Sequence, residues 1–153
     1  MSISTQPTRR TFLALGTAGT AALVLPRTAD ARDFTAAEKA NVQVVNGFCA
    51  AWASSDPDKV AAFMAEDCSA RLSETQPPTK GRAAFRDTLK NLFQRVQKVE
   101  IEVKETFAIG PTVLNDRIDY ITREGNRSPI RVVGFFVVKD GTIAEWTDYV
   151  VRA

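Results

Sequence analysis

Two short stretches carry the residues best suited to chemistry: Asn115-Asp116-Arg117-Ile118-Asp119 and Trp146-Thr147-Asp148. The first lies inside an apolar, β-branched run from Val113 to Ile121 that reads as a strand. Side chains alternate along a strand, so Asn115, Arg117 and Asp119 share one face while Leu114, Ile118 and Tyr120 take the other. By the same alternation Ala144, Trp146, Asp148 and Val150 share a face of a later strand. Taken alone, Arg117 and Asp119 read as an ion pair on a solvated sheet face, which is worth little. If both faces line one apolar concavity, Asp119 and Asp148 flank Arg117 with one net negative charge among them. One carboxyl can then hold a proton while the other stays ionised, which is the requirement for an acid–base pair. The chain contains no histidine. Proton transfer near neutral pH therefore falls to shifted carboxylates, or less readily to Tyr, Lys or Cys. Without histidine or a cysteine cluster no zinc site is expected, and no cofactor motif is present.

The elements that must position these residues follow from capping, periodicity and turn signals. Thr35-Ala36-Ala37-Glu38 is a capping box that opens a helix running to about Ser54, with Val44, Val45, Phe48 and Trp52 on its buried face. Asp56-Pro57 opens a short second helix ending near Ala65. Glu66 to Leu72 reads as a short strand, followed by a loop from Ser73 to Lys80 that holds Pro77 and Pro78. Gly81-Arg82 opens a third helix reaching about Gln94, striped by Phe85, Leu89 and Leu92. Four strands then follow: Val99 to Ile109, Val113 to Arg123, Ile130 to Lys139 and Thr142 to Val151. Gly110-Pro111, Glu124 to Arg127 and the hairpin dipeptide Asp140-Gly141 separate them. Helices segregated from an antiparallel meander indicate an α+β domain, with the three helices packed on the concave side of a curved sheet. That arrangement leaves a pocket between sheet and helices.

Residues 1–31 read as an address rather than as part of the fold. Thr8-Arg9-Arg10-Thr11-Phe12-Leu13 has the form of a twin-arginine export signal. A mildly apolar stretch to Leu25, then Arg27 and the small-residue site Ala29-Asp30-Ala31, complete it, so cleavage is expected after Ala31. Delivery to the periplasm or exterior by the twin-arginine machinery follows, leaving residues 32–153 as the working domain. Three of the 20 basic and one of the 18 acidic residues lie in the leader, so the remainder is balanced in charge. A balanced chain without a basic run is not expected to bind nucleic acid or anionic membrane. Cys49 and Cys68 are too few for a disulfide framework and read as buried free thiols.

Phe107-Ala108-Ile109-Gly110, then Asn115 to Asp119, then Gly141 to Tyr149 resemble the limonene-1,2-epoxide hydrolase family. The resemblance covers most of residues 32–153. That family belongs to the nuclear-transport-factor-2-like superfamily, and it implies a cone-shaped α+β fold, in agreement with the order of elements. It implies that Asp148 is the base activating a water, Asp119 the acid protonating the epoxide oxygen, and Arg117 the bridge orienting both. Trp146, Asn115, Leu72, Ala70 and Phe135 would line the substrate pocket, around a small apolar substrate. Homodimers through the sheet are common in the superfamily. One element of the pattern differs: where the family carries a Tyr and an Asn that hold the water, this chain has Ala70 and Leu72. Neither side chain can hydrogen-bond a water. The same pocket could therefore serve a non-hydrolytic reaction, such as that of a polyketide cyclase, ketosteroid isomerase or dehydratase, or hold a ligand without catalysis.

Overall fold

Local signals start the first two helices where the sequence places them. In the computed structural model, which describes residues 33–152, α1 spans Ala36–Ala51. Thr35 Oγ1 accepts the Glu38 N–H at 3.2 Å and Glu38 Oε2 accepts the Thr35 N–H at 2.9 Å, closing the capping box. The helix tightens into a 3-10 turn over Trp52–Ser54, and Ser55 takes a left-handed conformation that ends it. In α2, Pro57–Ala61, the Asp56 carboxylate accepts the Asp58 and Lys59 N–H groups. The expected leader, residues 1–31, lies outside the described residues.

The second helix stops earlier than its periodicity suggests, because Met64 already belongs to a strand. β1, Met64–Arg71, is opened by the pairing of Met64 with Ile143 of the last strand. Nothing local breaks the helix between Ala61 and Met64; the long-range partner decides it. Within the expected loop, Thr79–Lys80 forms a short β2 that pairs antiparallel with Ser69–Ala70. Next comes α3, Arg82–Phe93. Four long strands follow: β3 (Lys98–Ile109), β4 (Thr112–Arg123), β5 (Asn126–Lys139) and β6 (Thr142–Val150). The β4–β5 turn is only Glu124–Gly125, and Asp140–Gly141 turns β5 into β6; all four residues have positive φ, the signature of tight hairpin turns. Because the turn is short, β5 begins at Asn126 rather than Ile130. Its first residues run beyond the end of β6, so Pro129 occupies an edge position where its missing N–H is tolerated.

The sheet has six strands in the order β2-β1-β6-β5-β4-β3. The meander β3 to β6 is antiparallel as expected, and β1 joins β6 in parallel register. One face carries the core. Val113, Phe136, Ile143 and Trp146 from the strands are buried against Phe48 and Trp52 of the first helical segment and Phe85 and Leu89 of α3. Trp146 sits at the centre, with ring centroids of Phe48 at 5.2 Å, Phe85 at 5.7 Å and Phe136 at 6.4 Å. Each large apolar side chain buried in this way contributes about 1.5–3 kcal/mol over its exposed state. β6 departs from simple alternation: Val138 pairs with Ile143 and Val137 with Glu145, so Ala144 is a bulge residue. Ile143 and Trp146 consequently both point inward, and the face expected to begin at Ala144 begins at Trp146.

Candidate active site

Three strands align the charged residues. Asn115 of β4, Gly134 of β5 and Asp148 of β6 stand in one cross-strand row. Arg117 comes from the neighbouring row and crosses to Asp148 over Gly134, where bare backbone leaves it space. A Cβ at Gly134 would stand 2.1 Å from Arg117 Nη1 and 2.5 Å from Asn115 Oδ1. A glycine within an apolar strand is a signal of such close approach, and this one was not recognised from sequence.

Arg117 is completely buried. Its Nε donates to Asp119 Oδ1 at 2.8 Å, and its Nη2 donates to Asp119 Oδ2 at 3.3 Å and to Asp148 Oδ2 at 2.5 Å. Its Nη1 donates to Asn115 Oδ1 at 3.0 Å, while Asn115 Nδ2 donates to Cys49 Sγ at 3.4 Å. Trp146 Nε1 donates to Asp148 Oδ1 at 2.6 Å, fixing the carboxylate from its other side. A buried guanidinium would be strongly disfavoured alone; two carboxylates and an amide oxygen make this one tolerable. The solvated-pair reading of Arg117 and Asp119 therefore does not hold.

Burial pushes the Asp148 carboxyl up to about 6, despite the opposing pull of Arg117 and the Trp146 hydrogen bond. Burial also works against the charge on Arg117, but Asp148 and Asp119 outweigh it and hold its proton more firmly than usual. The Cys49 thiol is pushed up to about 11 by burial, and burial raises Cys68 as well. Both cysteines are free and buried, as expected. Among the described residues no three His, Cys, Asp or Glu side chains come together to hold a metal ion.

Arg117, Asp119 and Asp148 open onto a cavity of about 110 Å³. Trp52, Leu72, Leu92, Val99, Ile101, Ile121 and Trp146 form its remaining walls. The cavity is small, and so is any ligand it takes. A larger, open groove of about 640 Å³ lies between α2, α3 and β1. Its charged residues pair with one another, Arg82 with Glu66 and Arg86 with Asp58.

Five residues were expected to line the pocket. Trp146 and Leu72 do so. Asn115 does not, because it is buried beneath Arg117 and occupied by Arg117 and Cys49. Ala70 is fully buried in the core beside Trp146 and does not reach the cavity. Phe135 does not line it either: Gly134 and Phe136 point inward, so the residue between them points to the opposite side of the sheet. Ser73 and Glu74 do not take over the missing polar positions, since Ser73 Oγ donates to Glu74 and Glu74 is tied to the β6 backbone. Trp52, expected as core only, is both core and cavity wall.

Residues 45–146 match the SnoaL-like domain, well over half of the chain. The chain belongs to the SnoaL-like family. Among solved structures, this SnoaL-like chain is similar to an LEH-like epoxide hydrolase of M. tuberculosis, at 26% identity and a TM-score of 0.68. That match covers 74% of this chain and 84% of the other. The epoxide hydrolase/cyclase-like enzyme SalBIII, which has a role in pyran ring formation in the polyether salinomycin, matches at 19% identity and a TM-score of 0.68. It covers 75% of this chain and 93% of its own. A protein of Jannaschia sp. CCS1 described as a SnoaL-like polyketide cyclase matches at 16% identity and a TM-score of 0.67, over 78% of this chain and 90% of its own. These last two likenesses are of fold.

Proposed function

We propose that the chain is an epoxide hydrolase-like enzyme that adds water to a small, largely apolar epoxide in one step. The observation that carries this reading is the buried Arg117 clasped between two carboxylates on the wall of an apolar cavity. With its carboxyl raised to about 6, Asp148 is largely ionised at neutral pH yet more basic than an ordinary carboxylate. It accepts a proton from water as the water oxygen attacks an epoxide carbon. The acting site carries one proton, on Asp119: the carbon–oxygen bond of the ring breaks, the leaving oxygen takes that proton, and the proton gained by Asp148 passes back to Asp119 to restore the pair. Arg117 holds both carboxyls in place, and the Trp146 N–H fixes Asp148 against rotation. The likeness to the M. tuberculosis LEH-like hydrolase supports the assignment.

A second reading draws support from Leu72 and Ala70. One is an apolar wall of the cavity and the other lies in the core, so neither holds a water. An isomerase, cyclase or dehydratase needs the acid–base pair but no positioned nucleophilic water. Incubating the purified protein with small epoxides and, separately, with enolisable ketones separates the two. Diol formation that falls sharply in Asp119→Asn and Asp148→Asn is expected; epoxides bound but left intact would refute hydrolysis. The twin-arginine motif at residues 8–13 supports delivery of this activity to the periplasm or exterior, which fractionation of cells carrying Arg9→Lys and Arg10→Lys together would test.

A further inference from the structure

The cavity that holds Arg117, Asp119 and Asp148 shares a wall with a second hollow. A groove of about 440 Å³ runs between α1 and β3, with Asn46, Cys49 and Ala50 on its helix side and Ile101, Val103 and Thr106 on its strand side. Ile101 lines both spaces. It is the cross-strand partner of Asp119, and Val103 is the partner of Arg117, so the groove begins beside the acid–base group. The groove forms where β3 bulges. Lys104 has no partner in β4, and the inward side chains change there from Val99, Ile101 and Val103 to Thr106 and Ala108. Val99 and Ala108, at either end, are buried, whereas Ile101 and Val103 between them are only partly covered. The charged group is also most open at Asp119, next to Ile101: Asp119 keeps 14% of its side chain exposed, Asp148 8% and Arg117 1%.

We infer that the α1–β3 groove is the outer part of the substrate site and that Ile101, at the junction, determines which substrates reach into it. This rests on the reading of the cavity as an epoxide site. The epoxide oxygen meets Asp119 within the cavity, and a substituent on the ring leads past Ile101 into the groove. Ile101, Val103 and Ala50 offer that substituent apolar surface close to the charged group. Ile101 is branched at Cβ and stiff about its first side-chain torsion, so it does not readily swing aside. A chain branched next to the ring therefore collides with it, while an unbranched chain passes. The substrate class is an epoxide carrying one slender aliphatic chain.

Two measurements on the full chain decide this. The isomers 1,2-epoxyhexane and 3,3-dimethyl-1,2-epoxybutane contain the same atoms and differ only in shape. The protein should favour the linear isomer in kcat/KM by about tenfold, the discrimination that one misplaced methyl or methylene group brings in an apolar pocket. Ile101→Ala should admit the branched isomer, and Ala50→Phe, at an exposed position of α1, should fill the groove against the linear one. Each substitution should therefore erase most of the preference. In a proton–nitrogen spectrum, hexane-1,2-diol should shift the backbone amides of Ala50 and Val103 in the groove together with those of Val99 and Ile121 in the cavity, whereas propane-1,2-diol should shift the cavity set alone. Equal turnover of the two isomers, or a linear preference that survives both substitutions, overturns the inference; so does hexane-1,2-diol that leaves the groove amides unmoved. If neither epoxide is turned over, the hydrolase reading fails, while the diol shifts still decide whether groove and cavity form one site.

Discussion

Replacing Gly134 with alanine tests the packing on which the whole acid–base group depends. The new methyl carbon would stand 2.1 Å from Arg117 Nη1, 2.5 Å from Asn115 Oδ1 and 2.7 Å from a ring carbon of Phe136. Comfortable contact begins near 3.5 Å, so the guanidinium must retreat by about 1.5 Å. It cannot do so freely, because it bonds to Asp119, Asn115 and Asp148 at once. A retreat of that size stretches the bonds to Asn115 and Asp148 beyond useful hydrogen-bond length. Overpacking alone costs about 1–3 kcal/mol, and breaking a buried ion pair outright about 3–5 kcal/mol. A partial break should therefore destabilise the domain by about 2–4 kcal/mol, or roughly 10 °C in Tm for a chain of this size. Misplacing a catalytic group by an ångström costs about a hundredfold in rate, so diol formation should fall at least that far. Thermal unfolding monitored by circular dichroism, with activity measured well below the variant's Tm, checks both. A Gly134→Ala protein melting within 2 °C of the parent and retaining its rate would refute the idea that Arg117 depends on this bare backbone.

Asp148→Asn should reduce hydrolysis by about 10²–10⁴-fold through loss of the base, and the parent's kcat/KM should fall as pH drops through about 6; a pH profile flat down to 4 would contradict the assignment. The same carboxyl binds its proton more tightly in the folded state than in the unfolded chain, where its pKa is about 3.9. Its contribution to stability is thus complete below about pH 4 and lost as pH rises through about 6, a total of about 3 kcal/mol. Urea unfolding from pH 4 to 7 should show Asp148→Asn gaining on the parent across that window, and parallel curves would count against the shift. Leu72→Asn places a water-holding group on the cavity wall and should raise hydrolysis about tenfold if water positioning limits the rate; an unchanged kcat would remove the missing clamp from the argument. Cys49 and Cys68 should resist a thiol reagent in the native protein at pH 8 and both react after unfolding, since burial keeps them protonated and inaccessible. Rapid native labelling of either would show that its segment opens.

Several features of the fold are legible because their causes are local. The capping box at Thr35, the Asp56-Pro57 start and the Asp140-Gly141 hairpin each act within four residues of chain, and the structure contains all three. The alternation that puts Asn115, Arg117 and Asp119 on one face is likewise local. Features set by a distant partner were read less well. Met64 enters a strand because Ile143 pairs with it, and Thr79–Lys80 becomes β2 because Ser69 and Ala70 lie alongside. Phe135 lies on the outer face with Val133 and the exposed Arg131, but the unbroken apolar run from Val132 to Val138 hides that parity. Arg131, paired with Asp116, and Gly134 are its two markers.

By itself the sequence determined that proton chemistry near neutral pH has no histidine to use and falls most readily to carboxylates, and it singled out Arg117, Asp119 and Asp148 by type and strand parity. It could not determine whether those charges meet. That depends on the register of three strands and on the absence of a side chain at Gly134, which together bring β4 and β6 residues within hydrogen-bond reach across β5. Burial is equally a tertiary property. Asp148 departs from an ordinary carboxyl because helices and strands distant in the chain exclude water from it.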